Sequence, residues 1–388
     1  MKVVVVAHDI PYPPNEGGRL DIWNRLVALS RLDVSVHLIT WSDESVGEDQ
    51  LQQLSCCVDS ATIHERDRSP HLALHPIYPA GIVSRRLSQK RYKVELDRLK
   101  LIRPDVILLD GLEGAHFATS VAQDLCLPLV YRSHNVEHQY LWNLFIAENK
   151  LIRKILLLAN VPRTKLVERR IRAFSSLVYD ISYQDQAYWQ KAQPAIRGKI
   201  LYYCLHPDKD LACGNSEPSR DIDVLYIGNL HTPNNIYGLT WFARGVVPLL
   251  KNLRIVVAGS RPTPALLNIL GKAGVDVLID IDDAAALYDR AHVLVNPVWH
   301  SGGVNVKMIE LLATGKVVVS TSAGTRGVSK ELLRYVIIAD DKKAFADAAR
   351  TRIGARFSLA QQRDVMKEHS WENIMKLIAD LKIITAGR

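Results

Sequence analysis

Lys307 and Glu310 are the two side chains whose types and spacing most clearly predict chemistry. They lie three residues apart in the run Val306 to Thr314, whose apolar pattern predicts a helix, so both project from one face. An ammonium group near a helix N-terminus can bind an anion such as a phosphate. A carboxylate one turn later suits a vicinal diol instead, because it can accept both hydroxyl hydrogen bonds. The pair therefore predicts a site for a nucleotide diphosphate.

The loop before this helix contains a glycine pair. Gly302 and Gly303 let the backbone approach a ligand closely, and the first turn of the helix presents N–H groups that lack helical partners. We therefore predict that an anion contacts the loop and the helix start: Ser301, Gly302, Gly303, Val304, Asn305 and Val306. The alternative interpretation is a simple turn followed by an ordinary surface pair of charges, which are common on helices.

Two strands must hold this loop and helix in place. Val293 to Val295 is a short apolar run before the loop, and Val317 to Thr321 is a β-branched run after the helix. Gly315 follows the helix at the position where a glycine commonly ends one. The segment is thus a predicted strand-loop-helix-strand unit. Earlier in the same half, we expect a helix from Tyr237 to Leu250.

A second glycine pair, Gly17 and Gly18, stands in a similar setting. It lies between an apolar run, Lys2 to Ala7, and a segment of helical periodicity, Arg19 to Leu32. The G-x-G-x-x-G pattern of dinucleotide-binding folds is absent, so the pair does not indicate a nicotinamide or flavin site.

Polar and titratable residues also follow the apolar run Pro128 to Tyr131. His134, Glu137 and His138 lie within five residues of one another just past the predicted strand end, where α/β folds place their sites. A single histidine is as often structural as functional. Three such residues together favour a site.

The stretch from Asn296 to Thr321 resembles the donor-binding segment of retaining GT-B glycosyltransferases, the glycosyl transferases group 1 or family 4-like enzymes. Lys307, Glu310 and the run from Glu310 to Gly315 carry the resemblance. It implies an α/β fold of the GT-B type, with two Rossmann-like doubly wound parallel-sheet domains facing a central cleft. A further glutamate that the family carries upstream is replaced here by Gly302, which puts recognition of the donor sugar in doubt.

The resemblance also implies roles for individual residues. His134, Lys307 and Glu310 would be catalytic, with Glu310 on the ribose and Lys307 on the pyrophosphate. Glu137 and His138 would lie on the acceptor side. The donor-binding set would comprise Gly17, Gly18, Gly228, Asn229 and Asn234, together with Ser301 to Lys307 and Glu310. No metal and no cofactor other than the UDP-sugar donor are expected, and Asp280-Ile-Asp282 is interpreted as a loop beside the nucleobase.

The length of 388 residues favours two domains. We predict an acceptor-side domain over 1–205, a linker over 206–220 and a donor-binding domain over 221–365. The linker assignment rests on a polar stretch without periodicity. Residues 366–388 are predicted to form a helix that crosses back to the first domain, and packing on the second domain is the alternative.

Charge and cysteine content bear on partners and location. The net charge is +8, and two stretches, Ser84 to Arg103 and Glu148 to Arg172, each hold an excess of six positive charges. They could be solvated helix faces or could bind an anionic membrane surface. Stacking aromatic residues are sparse in both, so nucleic acid is not expected. The odd number of cysteines and the lack of a long apolar run favour a reduced cytoplasmic protein, peripheral at most to the inner membrane face.

The sequence thus predicts a retaining, metal-independent hexosyltransferase. The donor would be a UDP-sugar, with UDP-glucose as first choice, and the acceptor a saccharide or lipid-linked saccharide in polysaccharide or glycolipid synthesis. Two alternatives stay open: a UDP-sugar epimerase of the same fold, and a non-catalytic protein that binds nucleotide sugars. A nicotinamide dehydrogenase is more remote, because the glycine fingerprint is missing.

Overall fold

The chain divides into two compact units, each built on one parallel sheet. In the computed structural model, residues 1–15, 17–69, 72, 75–148, 150–207, 221–281, 284–299, 303–355 and 357–386 are described. The first unit is Met1–Pro207 with Ser370–Arg388, and the second is Asp208–His369. Of the predicted linker, only His206 and Pro207 lie within the described residues.

The first unit contains a seven-stranded parallel sheet. Its strands are β1 (Lys2–Ala7), β2 (Ser35–Ser42), β3 (Ser60–Glu65), β4 (Val106–Asp110), β5 (Leu129–Arg132), β6 (Leu177–Asp180) and β7 (Lys199–Ile200), in the order β3-β2-β1-β4-β5-β6-β7. The central strands β1 and β4 are continuous apolar runs because helices cover both faces of the sheet. Doubly wound folds of the Rossmann type share this order.

Helices connect these strands on both faces. They are α1 (Gly17–Arg31), α2 (Glu48–Ser55), α3 (Ala80–Val83), α4 (Gln89–Ile102), α5 (Ala115–Asp124), α6 (Glu137–Ala147), α7 (Leu151–Phe174) and α8 (Tyr183–Ala192). Several begin with a side-chain cap: Ser88 accepts from the Arg91 amide at the start of α4, and Ser182 accepts from the Asp185 amide at the start of α8.

The second unit repeats the plan with six parallel strands. They are β8 (Ile222–Ile227), β9 (Ile255–Gly259), β10 (Asp276–Ile279), β11 (Ala291–Asn296), β12 (Val317–Ser320) and β13 (Val336–Ile338), in the order β10-β9-β8-β11-β12-β13. Its helices are α9 (Pro233–Trp241), α10 (Pro264–Lys272), α11 (Ala284–Arg290), α12 (Val306–Ala313), α13 (Lys330–Leu333), α14 (Lys342–Thr351) and α15 (Leu359–His369). The predicted pair of doubly wound parallel sheets is therefore confirmed.

The C-terminal segment belongs to the first unit. Ser370 caps a short 3₁₀ turn, Trp371–Asn373, which leads into α16 (Ile374–Ala386). The apolar side of α16 joins the core around β1 and β2, and the Asp380 carboxylate accepts hydrogen bonds from Tyr179 Oη at 2.5 Å and Lys199 Nζ at 2.6 Å.

The predicted helix from Tyr237 to Leu250 is wrong in its bounds. The α-helix α9 runs only over Pro233–Trp241 and continues as a π turn, Phe242–Val246, and a 3₁₀ turn, Val247–Leu249. It starts early because a proline is tolerated in the first helical turn. It changes form before Pro248 because that residue has no N–H to continue the hydrogen-bond ladder.

Candidate functional site

Each sheet has a switch point, where neighbouring strands lead to connections that run in opposite directions. In the second unit it lies between β8 and β11, and in the first unit between β1 and β4. Ligands of such folds bind beyond the carboxyl ends of the strands at this point. The sequence-predicted residues of each unit can therefore be judged by their distance from its switch point.

The loop after β8 is shaped by close backbone packing. Gly228 donates from its amide to the Ala258 carbonyl at 3.0 Å, and a Cβ atom at Gly259 would lie 1.8 Å from the Gly228 oxygen. Asn229 is part of the same turn, since its carbonyl accepts from Asn235 Nδ2 at 2.7 Å. Asn234 is exposed in the first turn of α9. Gly228, Asn229 and Asn234 thus lie together at this switch point.

Lys307 reaches this loop from α12. Its Nζ donates to the Tyr226 hydroxyl at 2.8 Å and lies 4.2 Å from the centre of the Tyr226 ring. A Cβ atom at Gly228 would lie only 2.3 Å from the same Nζ, so a glycine leaves room for the ammonium. Loss of hydration lowers the pKa of Lys307 to about 7, and the Glu310 carboxylate opposes that shift.

Glu310 follows Lys307 by one helical turn, as the sequence predicted, and is partly buried. Burial raises the pKa of the Tyr288 hydroxyl well above its ordinary value, and the Glu310 carboxylate adds to the effect. The structure thus brings a cation, a carboxylate and two tyrosines together beside the loop after β8.

The loop before α12 is described only in part, because Ser301 and Gly302 lie outside the described residues. Asn305 stands at the N-cap position of α12. Its amide donates to the Arg326 carbonyl at 3.0 Å, and the Val306 amide donates to the Val304 carbonyl at 3.1 Å. These two amides are therefore already used within the protein. Donor contacts by the remaining loop groups, Gly303 included, stay a prediction.

At the switch point of the first unit, His134 meets the end of β4. His134 Nε2 lies 2.6 Å from Asp110 Oδ1, and the Arg25 Nε donates to Asp110 Oδ2 at 2.7 Å. The His8 ring, just after β1, stands edge-on to the His134 ring with centroids 5.5 Å apart. A Cβ atom at Gly18 would lie 3.6 Å from His8 and 4.0 Å from His134 Nδ1. Gly18, and Gly17 beside it at the start of α1, therefore lie next to this histidine pair.

Buried charges hold this arrangement. Burial alone would raise the pKa of Asp110, but Arg25 and the hydrogen bond with His134 hold it well below its usual range. Asp21 completes the network by pairing with Arg25 at 3.0 Å and with Arg132 at 2.8 Å. An ionised Asp110 accepts a hydrogen bond from His134 Nε2, so Nδ1 is the ring nitrogen of His134 that faces Gly18.

His8 adds a neutral imidazole beside His134. Burial lowers the pKa of His8 to about 4, against a smaller opposing effect of Glu113. At neutral pH the His8 ring can therefore accept as well as donate a hydrogen bond.

Glu137 and His138 begin α6 and contact α7. The Glu168 carboxylate accepts from the Glu137 amide at 2.7 Å and from the His138 amide at 3.1 Å, which caps α6 in place of an N-cap side chain. His138 is buried, with Nδ1 2.5 Å from Glu168 and Nε2 2.7 Å from the Tyr188 hydroxyl. Burial, followed by the Glu168 charge, raises the pKa of Glu137 to about 8. This placement suits His138 to holding α6 in position. An acceptor contact by Glu137 or His138 stays a prediction.

The sequence pattern does not single out Arg25, Glu168 or Tyr226. Arg25 and Glu168 look like surface charges in long helices, and Tyr226 looks like an ordinary strand residue. His8 and Asp110 had a usable signal, since each stands at the carboxyl end of an apolar strand. Among the described residues, no group of three or more His, Cys, Asp or Glu side chains could hold a metal ion.

Comparisons with known proteins agree with this architecture. Residues 221–353 match the family model of the glycosyl transferases group 1. An uncharacterised 44.6 kDa protein from the cps region of Klebsiella pneumoniae is 26% identical in an alignment 369 residues long that covers 89% of each chain.

Solved structures share the fold over the whole chain. HepE from Anabaena, solved with UDP-glucose, has a TM-score of 0.64 at 14% identity over 98% of both chains. TarM from S. aureus, solved as a variant with fondaparinux, α-GlcNAc-glycerol and UDP, has a TM-score of 0.67 at 11% identity, covering 98% of this chain and 99% of TarM. Sucrose-phosphate synthase from Thermosynechococcus elongatus has a TM-score of 0.64 at 15% identity over the full length of both.

The two doubly wound sheets and these structural neighbours define a GT-B glycosyltransferase fold, which confirms the predicted fold class. The family match, residues 221–353, lies within the second unit, so this unit is similar to the glycosyl transferases group 1.

Substitution of Gly228 by alanine tests the space that Lys307 needs. The added methyl group would lie 2.3 Å from Lys307 Nζ, at the far end of a flexible side chain, and 2.9 Å from the Tyr226 hydroxyl. It must therefore displace the ammonium, and UDP affinity should fall roughly tenfold. Calorimetric titration with UDP measures this. Gly271→Ala is the matched control, because a Cβ atom there meets nothing within 4 Å. Equal UDP affinity in Gly228→Ala and the unmodified protein would contradict the assignment.

Donor binding should depend on pH through Lys307. Its pKa of about 7 in the free protein must rise when a diphosphate binds, because the anion favours the charged ammonium. Affinity for UDP-glucose should therefore be constant below the free pKa and fall by up to about tenfold per pH unit above it, until the bound pKa is reached. Titrations between about pH 6 and about pH 9 measure the slope. The same slope in Lys307→Met would show that another group titrates.

Proposed function

We propose that this protein is a retaining glycosyltransferase that moves a hexose, with glucose as first choice, from a UDP-sugar to a saccharide or lipid-linked saccharide. The observation that carries the proposal is the placement of Lys307 beside Gly228 at the switch point of the second unit, with Glu310 one helical turn further along α12. A UDP-sugar donor is supported by HepE, which shares the fold and was solved with UDP-glucose.

In this proposal the second unit holds the nucleotide. Glu310 accepts hydrogen bonds from the ribose diol, and Lys307 leaves the Tyr226 hydroxyl to bind the pyrophosphate. The amides of Asn305 and Val306 donate to protein carbonyls and are not free to donate to the diphosphate. The Lys307 ammonium must therefore supply a larger share of the diphosphate binding than it would if these amides also contributed.

The chemical step breaks the anomeric C–O bond, and the diphosphate leaves with the electron pair. Lys307 stabilises the negative charge that grows on the leaving oxygen. The acceptor hydroxyl attacks from the face that the diphosphate leaves, and its proton passes to the leaving phosphate. The proposal requires no enzyme nucleophile, no metal ion and no further cofactor. His134, oriented by Asp110, is assigned to the transferred sugar.

We further propose that the acceptor is carried at the inner face of a membrane, as in polysaccharide or glycolipid synthesis. A peripheral location is supported by the uneven distribution of basic residues in the first unit, which concentrate in Ser84 to Arg103 and Glu148 to Arg172.

Product analysis tests the function. The purified protein is incubated with ¹³C-labelled UDP-glucose and lipid-linked or free saccharide acceptors, and the products are analysed by NMR and mass spectrometry. We expect a glycoside with the anomeric configuration of the donor, formed only with an acceptor. Inverted configuration would contradict retention. An altered free sugar without an acceptor would indicate the epimerase, and UDP binding without turnover would indicate the non-catalytic protein.

A further inference from the structure

Helices α6 and α7 form a hairpin with an exposed apolar tip. Among the described residues, 21 large hydrophobic side chains are exposed, and seven of them lie between Trp142 and Leu158. Leu151, Ile152 and Ile155 are 71%, 77% and 59% exposed. Such a concentration of exposed apolar surface marks an interaction site.

The tip is apolar because it lies beyond the core of its own unit. From residue 151 to residue 163 of α7 no side chain is buried, whereas Thr164, Val167 and Ile171 further along are buried. The spacing of Leu151, Ile155 and Leu158 places them on one face of α7. Trp142 and Ile146 are exposed on α6, four residues apart. The hairpin thus buries its base in the first unit and presents its tip outward.

Positive charge surrounds this apolar tip. From residue 138 to residue 167 the sequence has five Lys or Arg residues and one acidic residue, Glu148. Lys150, Arg153 and Lys154 lie within four residues of the most exposed apolar side chains. Arg153 is 3.7 Å from Glu148, whose side chain is 19% exposed, and the Lys154 ammonium lies over the Phe145 ring. Cations beside exposed apolar side chains are typical of helices that lie at a lipid interface.

The other basic stretch has a different surface. Helix α4 exposes only two large hydrophobic residues among its described side chains, Val94 and Leu101. Its cations are partly matched by acids of the same helix, since Arg98 pairs with Glu95 at 2.5 Å and Lys100 pairs with Asp97 at 3.0 Å. It is therefore a solvated face, and the structure separates two stretches that the sequence left equivalent.

We propose that the tip of the α6–α7 hairpin, Trp142 to Leu158, docks on the surface of an anionic lipid bilayer. Charge complementarity selects this partner, because Lys150, Arg153 and Lys154 match lipid phosphates while Leu151 and Ile152 enter the acyl boundary. No helix among the described residues has the length and apolar content to cross a bilayer, so the hairpin lies on the membrane. Docking would bring the protein to a lipid-borne acceptor, and the existence of such an acceptor rests on the proposed function.

Vesicle flotation of the full chain tests the docking. Vesicles of phosphatidylcholine alone are compared with vesicles that also contain phosphatidylglycerol. We expect binding to the anionic vesicles that salt weakens. The variant Lys150→Gln, Arg153→Gln, Lys154→Gln should bind roughly 100-fold more weakly, at roughly fivefold for each cation. Ile152→Glu with Ile155→Glu should lose roughly tenfold or more.

The matched control places glutamates at two exposed apolar positions of α4, Val94→Glu and Leu101→Glu, and should bind vesicles like the unmodified protein. Equal binding to neutral and anionic vesicles, or equal loss in the control, would overturn the proposal. The proposal would also be overturned if the unmodified protein is a dimer, the Ile152→Glu variant is a monomer, and neither binds vesicles. The tip would then be the contact with a second copy of the chain. UDP affinity, measured on the same variants, should be unchanged, so failure of docking is distinguishable from failure of the donor site.

Discussion

Replacement of Lys307 by methionine is expected to lower kcat by about 100-fold to 1,000-fold, equivalent to about 3 to 4 kcal/mol of transition-state stabilisation. Methionine retains the length and apolar stem of the side chain but removes the charge that faces the leaving diphosphate. The hydrogen-bond acceptor of Lys307 Nζ is the uncharged Tyr226 hydroxyl. A neutral methionine at this position therefore removes one hydrogen bond, and the fold should tolerate it. Initial rates of UDP release, with the acceptor that product analysis identifies, measure the effect.

Two controls belong to this experiment. Lys100, in helix α4 of the first unit, forms an exposed ion pair with Asp97 three residues away, a spacing like that of Lys307 and Glu310. Lys100→Met should leave kcat within about twofold, because exposed pairs contribute little. A Lys307→Met enzyme with normal kcat would show that the leaving group is stabilised elsewhere, and the mechanism proposed above would be wrong.

Substitution of Asp110 by alanine is expected to destabilise the first unit by about 3 to 5 kcal/mol. Arg25 and Asp110 are both about 1% exposed, and the substitution leaves the guanidinium without one of its two buried carboxylates. It also removes the group that orients His134. Urea unfolding followed by tryptophan fluorescence measures the loss, since five of the seven tryptophans lie in the first unit: Trp23, Trp41, Trp142, Trp189 and Trp371.

The double variant Arg25→Met, Asp110→Ala separates charge from packing. If the unpaired guanidinium causes the loss, removing it as well should recover part of the stability. Asp97→Ala, at an exposed pair, should change stability by less than about 1 kcal/mol. A loss in Asp110→Ala no larger than in Asp97→Ala would show that the buried network is not structurally important.

The fold could be predicted where the signal is local. The strand-loop-helix-strand unit is observed as Ala291–Asn296, Val306–Ala313 and Val317–Ser320, within two residues of each predicted bound. Apolar runs specify the buried parallel strands, and Gly315 has the positive φ of 72° that a residue after a helix needs. Helix α9 was mispredicted because its change to a π turn depends on tertiary packing as well as on Pro248.

The candidate site could be predicted only for residues at strand ends and helix starts. The family resemblance predicts His134, which follows β5, and the structure brings it to Asp110 at the end of β4. Arg25 could not be found this way. Its spacing from Asp21 is that of a surface pair, and only the packing of α1 against the sheet makes both residues buried. Tyr226 likewise gains its role from Lys307, which is 81 residues away in the sequence.

The most direct test of the central claim is calorimetric titration of the purified protein with UDP, GDP, ADP and their glucose conjugates, without added metal. Lys307→Ala and Glu310→Ala are titrated in parallel, with Asp97→Ala as the control. We expect the protein to bind UDP and UDP-glucose selectively. Lys307→Ala and Glu310→Ala should lose this binding, and Asp97→Ala should retain it. Absence of binding to any nucleotide would contradict the assignment of this helix as the donor site. UDP affinities of Lys307→Ala and Glu310→Ala equal to that of the unmodified protein would contradict it as well.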